Sequence, residues 1–210
     1  MSEFVSVVTE RRSANKFVKG VHIEDKELNE IFELVKYVPS SFNLQHAHYV
    51  VVRDEELKQK VYEAANKQYK VKTASAVILV LGHMDAHLNA PEINEGLLNL
   101  GVINKQEFDH TVSSVQQFYE ERGEAFKRDE AIRNANLSAM LFMLAAKEKG
   151  WDSSPMIGFD PDAMKRVLNV PDRYVPALLI GIGKEDTSNR RIRGYRKPVG
   201  EFVSYEGFRQ

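Results

Sequence analysis

The chain has 210 residues, enough for one ordinary domain that buries roughly 70% of the surface its unfolded form exposes. Apolar residues make up 43% and charged residues 28%, which excludes a disordered chain, and a formal net charge of -1 gives no whole-molecule reason to expect nucleic acid or an anionic membrane as a partner. The absence of cysteine excludes disulfides, Cys-ligated iron–sulfur clusters and thiol nucleophiles, and fits a reducing, cytoplasmic location.

Glu3 and Glu10 flank a stretch with no signal-peptide core. Residues 3–12 read as a short helix with Phe4, Val5 and Val8 on one face, ending in the basic pair Arg11 and Arg12. Residues 25–38 read as an amphipathic helix, because Leu28, Ile31, Phe32 and Val35 follow 3, 4 spacing and Pro39 ends it. Residues 49–53 are a β-branched run and read as a strand; residues 55–65 read as helix. The continuous apolar run at 76–82 predicts a strand buried on both faces. Residues 104–121 read as helix, and so do 128–149, which lack Pro and Gly and stop before Gly150, a left-handed cap. The stretch from Leu137 to Ala146 is apolar nearly all round, so it must be covered on every side. It is too short for a membrane span, which needs about 20 apolar residues. In so small a chain a partner subunit is a ready cover. Asp160-Pro161 opens a further helix as N-cap and first turn. Residues 174–182 read as the last strand, with Pro176 pointing to an edge or a bulge. The tail from Thr187 is basic and irregular, and no repeat or low-complexity linker interrupts the chain.

Four groups could carry chemistry. Arg11-Arg12-Ser13, with Asn15 and Phe17 behind, offers two guanidiniums and a hydroxyl to a phosphate dianion. The simpler reading is cations favouring a helix C-terminus. Pro39-Ser40-Ser41-Phe42-Asn43-Leu44-Gln45 offers hydroxyls and carboxamides to the edge of a heterocycle, or is a polar turn. Ser154-Pro155-Met156-Ile157-Gly158-Phe159 lets backbone N–H groups approach a ligand at the glycine, or is a plain loop. Arg190, Arg191, Arg193, Arg196 and Lys197 could bind phosphate, or form a solvated terminus.

Other motifs are set aside. His83 and His87 stand four apart but lack the Glu of a zinc HExxH helix, and they follow a strand, so no metal is expected. His46-x-His48 reads as a turn. Gly181-Ile182-Gly183 lacks the third Gly and the following helix of a dinucleotide fingerprint. No nucleophile–His–acid arrangement stands out.

In order along the chain, these elements resemble the nitroreductase family of FMN enzymes. Arg11-Arg12-Ser13 matches its opening motif, and Pro39 to Gln45 its Pro-Ser-Ser-x-Asn-x-Gln turn. Gln68 or Lys70 matches a basic or amide position ahead of the buried strand. Pro155 to Phe159 matches its Pro-x-x-Gly-Phe loop, and Gly181 to Gly183 with Arg193 to Pro198 its closing strand and basic tail. The match covers essentially the whole chain. It implies one α+β domain over 1–210, with a mixed four- or five-stranded central sheet surrounded by helices. It also implies an intertwined homodimer with two FMN sites at the interface. Arg11, Arg12, Ser13, Asn15 and Arg196, with Arg193, would serve the phosphate, ribityl chain and pyrimidine edge. Gln68 and Lys70 would sit near N1 and O2 of the flavin. Pro39, Ser40, Ser41 and Asn43 would come from the other subunit. Pro155, Met156, Ile157 and Gly158 would form the loop whose backbone N–H groups hold N5 and O4. The flavin carries the redox chemistry, so no catalytic side chain is required. The implied activity is ping-pong hydride transfer from NADH or NADPH to small acceptors such as nitroaromatics or quinones. Reductive dehalogenation, flavin-ring cleavage or non-catalytic flavin binding are the alternatives. Two departures from many relatives, His46-Ala47 for Pro-Trp and Ile157 for Glu, bear on which acceptor fits.

Overall fold

The computed structural model describes residues 3–190 and 192–208, so Arg191 of the tail cluster lies outside the described residues. Four strands form one sheet: β1 (Ala47–Val52), β2 (Ala76–His83), β3 (Asp152–Met156) and β4 (Tyr174–Gly183), in the order β1-β2-β4-β3. Every neighbouring pair is antiparallel, which corrects the expected mixed sheet. The reason is topological. β2 and β3 run the same way, but β4 lies between them, so no parallel neighbours meet.

The apolar run of β2 is buried on both faces because side chains alternate across the pleat. Ala76, Ile78 and Val80, with Ile180 and Ile182 of β4, pack on α2 (Asp25–Val35) and α7 (Gly123–Glu148). Val77, Leu79 and Leu81, with Leu179, face Val61 of α3 (Glu55–Ala64), Val71 of α4 (Tyr69–Thr73) and Met164 of α8 (Pro161–Val167). The result is a three-layer α–β–α arrangement. Gly82 lets α7 cross close to the sheet, since a Cβ there would lie 2.5 Å from the Ala131 carbonyl oxygen.

Several boundaries differ from expectation. α7 starts at Gly123, not at 128, because the helix-forming stretch continues upstream to a glycine with φ +74° that separates it from α6 (Lys105–Glu120). α4 and α5 (Ala90–Asn99) were not anticipated: α4 has only five residues, too few to show a period, and α5 contains Pro91 and Gly96, both poor helix formers. Of the segment 154–159, offered as a ligand-approach or plain loop, Ser154 to Met156 belong to strand β3, and Pro155 is tolerated there because β3 is an edge strand. Pro176 marks a bulge and not an edge: Leu81 pairs with Pro176 and Val80 with Leu178, leaving Ala177 over, while β4 itself is central. Asp160 caps α8 as expected, its carboxylate accepting from the N–H groups of Asp162 and Ala163. No helix among the described residues is long and apolar enough to cross a membrane.

Candidate functional site

The segment after α1 (Glu3–Glu10) is tied along the open edge of β3 and the end of β4. Ser13 bridges Ser153, and Ala14 N–H donates to the Ser153 carbonyl at 3.0 Å. Val18 N–H donates to the Lys184 carbonyl at 2.8 Å, and Lys16 pairs with Asp186 at 2.7 Å. Phe17 anchors the segment. Its ring fills the space left by Gly181 and Gly183, where a Cβ would come within 3.1 Å of Cε2 and 2.8 Å of Cδ1 respectively. The Gly-x-Gly pair is therefore a socket for an aromatic ring.

This anchoring presents Arg11, Arg12, Ser13 and Asn15 at the sheet edge. Arg193 folds back onto them, its guanidinium donating to the carbonyls of Thr9 and, at 3.2 Å, Arg11. Arg196 stands close by and bonds its own tail at Gly194 and Tyr195. Burial, and then the charges of Arg193 and Arg196, lower the Arg11 guanidinium pKa from its usual value. Its Nη1 is buried with no hydrogen-bond partner, and Ser153 Oγ is buried and unpartnered beside the same strand. A cluster of positive groups with an unsatisfied buried donor suits a phosphate dianion.

The loop after β3 sits next to this edge. Asn66 Nδ2 and Gln68 Nε2 both donate to the Gly158 carbonyl, at 3.0 and 2.9 Å, which occupies both of its lone pairs. Asn66 and Lys67 adopt φ of 52° and 57°, a left-handed pair that turns the chain back toward the loop. Asn66 was not anticipated; an Asn at a helix end, where the left-handed region is tolerated, is the signal that could have found it. Gln68 thus fixes the loop. Lys70 Nζ reaches the hydroxyl of buried Ser154 at 2.9 Å, so its charge is held against β3. Met156 is buried in the core, and Pro155 carries no N–H, so the side chain of one and the backbone of the other cannot serve as donors. Ile157 is 82% exposed, leaving the loop backbone open to a ligand.

The Pro39–Gln45 turn lies elsewhere. It leads into β1, at the opposite edge of the sheet from β3, three strand spacings or about 14 Å away. Ser41 N–H donates to Asn134 Oδ1 at 2.8 Å and Ser41 Oγ to Glu130 at 2.7 Å, both on α7. Ser40 Oγ accepts from Gln45 N–H at 2.9 Å. Phe42, Asn43 and Gln45 all have φ between 51° and 57°. Three left-handed non-glycine residues in one turn are strain of the kind found at ligand-binding sites.

Behind this turn, His46 Nε2 lies 3.3 Å from Tyr119 Oη, and the Tyr119 ring stacks on His87 at 5.1 Å. His87 Nε2 meets Glu120 at 2.8 Å, and Glu120 also binds Lys127 at 2.8 Å. His83 stacks on Tyr174. The histidines set aside as metal ligands are engaged in ring contacts, and no group of three His, Asp or Glu among the described residues could hold a metal.

A family model for the nitroreductase family matches residues 8–184. MhqN of Bacillus subtilis (strain 168), provisionally named an NAD(P)H nitroreductase, is 60% identical over 205 residues, covering 98% of this chain and all of that protein. The crystal structure of ydfN from Bacillus subtilis, provisionally named a nitroreductase, superposes with a TM-score of 0.96 at 58% identity, over 98% of this chain and 99% of that one. A provisionally named nitroreductase from Exiguobacterium sibiricum 255-15, solved in complex with FMN, superposes with a TM-score of 0.89 at 29% identity, over 98% of both chains.

Proposed function

Because the chain belongs to the nitroreductase family, we propose that it is an FMN-dependent NAD(P)H oxidoreductase acting on nitroaromatics, quinones or similar small acceptors. The observation that carries this reading is the guanidinium cluster around Arg11, with its buried Nη1 lacking a partner. Arg11, Arg12, Ser13, Asn15, Arg193 and Arg196 hold the phosphate and ribityl chain. The N–H groups of Ile157 and Gly158 meet the polar edge of the isoalloxazine, oriented by the grip of Asn66 and Gln68 on the Gly158 carbonyl. Lys70 keeps a positive charge where the ring gains negative charge on reduction. Bound FMN supplies hydride transfer from NADH or NADPH to the acceptor. With no dinucleotide fingerprint in the chain, nicotinamide and acceptor take turns at one open face, a ping-pong order.

The whole chain acts as one FMN-binding domain, and the active form is a homodimer. The turn of Pro39, Ser40, Ser41 and Asn43 enters β1 opposite Gly82, whereas Ser13 bridges Ser153 at the level of Ala76, so six residues along β2 and three strands across, roughly 25 Å, separate the turn from the phosphate grip of the same chain; a second copy can bring the two together. α1 buries none of its residues, and Leu137 and Met140 of α7 are exposed. The apolar tail residues Ile192, Tyr195, Phe202 and Phe208 are exposed as well, as an arm that wraps a second copy would be.

The test is titration of apo-protein with FMN, read by flavin fluorescence. Arg11→Ala removes charge-assisted bonds and should weaken binding roughly tenfold to a hundredfold, with unchanged circular dichroism. Equal affinity in variant and wild type would overturn the phosphate assignment.

A further inference from the structure

Beside α4 lies a cavity of about 710 Å³ that Lys70 does not line, bounded by residues 19–24, the end of β1, α3 and α4. This is the volume of a small-molecule site. Four cations line it, Lys19, Arg53, Lys58 and Lys72, against two carboxylates, Glu24 and Glu55. Both carboxylates are engaged: Glu55 with Lys58 at 2.7 Å, and Glu24 in a capping box with Glu27 at the start of α2. Arg53 is fixed by Asp25 and, at 3.1 Å, by the Ile23 carbonyl. Lys58 is buried and fixed by the Ala74 carbonyl at 3.0 Å, which leaves one ammonium proton unassigned. Lys19 and Lys72 add charge with no carboxylate within ion-pair distance among the described residues; Lys72 lies over the Tyr62 ring, 4.2 Å from its centroid. Ser75, only 9% exposed, lines the same cavity, and its hydroxyl is buried with no hydrogen-bond partner.

We propose that this cavity is a binding site for a small multivalent oxyanion, separate from the flavin phosphate grip. A buried unsatisfied hydroxyl, a buried ammonium and two lysines outside any ion pair, which outnumber the one carboxylate without a cation, Glu24, supply the donors and the charge that phosphate or carboxylate oxygens need. The reading is independent of what the flavin site binds.

The experiment uses the FMN-loaded protein, so that the flavin phosphate position is filled. Inorganic pyrophosphate and, separately, citrate are titrated by calorimetry at constant ionic strength. Saturable binding of either is expected, and the two arms separate phosphate from carboxylate chemistry. The double variant Lys19→Glu/Lys72→Glu changes two exposed side chains and should retain its yellow flavin, yet bind the probe at least about tenfold more weakly. Ser75→Ala should weaken it several-fold. Lys105→Glu/Arg128→Glu, with the same change in net charge on α6 and the start of α7, neither of which lines the cavity, should leave binding unchanged. Heats of dilution alone with both probes would overturn the proposal. So would equal affinity in wild type and Lys19→Glu/Lys72→Glu, or equal loss in the two double variants.

Discussion

His46, 1% exposed and adjoining the strained turn, shows how burial sets chemistry at a single residue. Burial pushes its pKa down to about 4 from about 6.5, so the ring is neutral in the folded protein at neutral pH. The unfolded chain binds a proton at this residue near pH 6.5, whereas the folded chain waits until about 4. Stability present above 6.5 is therefore lost as pH falls between these values, at up to about 1.4 kcal/mol per pH unit. His46→Gln keeps a hydrogen-bonding group for Tyr119 but does not titrate. Urea unfolding at pH 7 and pH 5 should show the stability gap between wild type and variant shrinking by about 2 kcal/mol at the lower pH. A constant gap would show that His46 is not the titrating group. The same residue scale marks a limit of sequence reading. The chain order singles out Gln68 as a position facing the flavin, but that its amide also holds the Gly158 carbonyl, a pairing 90 residues apart, is encoded by no local pattern.

At the scale of elements, β4 and the segment at 13–18 form one unit through Phe17 and its glycine socket. Phe17 is fully buried and cannot swing away from a new methyl at position 183. Gly183→Ala should destabilise the fold by about 1–3 kcal/mol, as overpacking does. Because the displaced segment carries Arg11 to Asn15, FMN affinity should fall as well. Chemical denaturation and flavin titration of the variant measure both; an unperturbed protein would show that the socket is slack. In α7 the apolar side chains divide cleanly. Met143 is 7% exposed and packs in the core, whereas Met140 is 41% exposed on the outer stripe with Leu137. The sequence showed that this helix needs cover on all sides, and helical periodicity gave no means of deciding which residues the chain itself covers.

For the whole molecule, the proposed homodimer would cover the open stripe of α7 and the unburied α1. Met140→Glu places a charge on the outer stripe without touching the core. In sedimentation at micromolar concentration it should shift the protein from dimer to monomer, with loss of bound FMN; a dimer that keeps its flavin would refute the interface. By itself the sequence determined the long periodic helices, the buried strand β2 and the family, because apolar spacing and the chain order of short motifs are local properties. It also determined which residue types could grip a phosphate. Only the tertiary structure decided that the sheet is wholly antiparallel, that Asp152–Met156 form an edge strand, and that Gly181 and Gly183 receive an aromatic ring. It alone decided that the serine turn and the arginine cluster lie on opposite edges of the sheet. Strand order and face assignment depend on which distant segments exclude water from one another, and that is settled by packing across the whole chain.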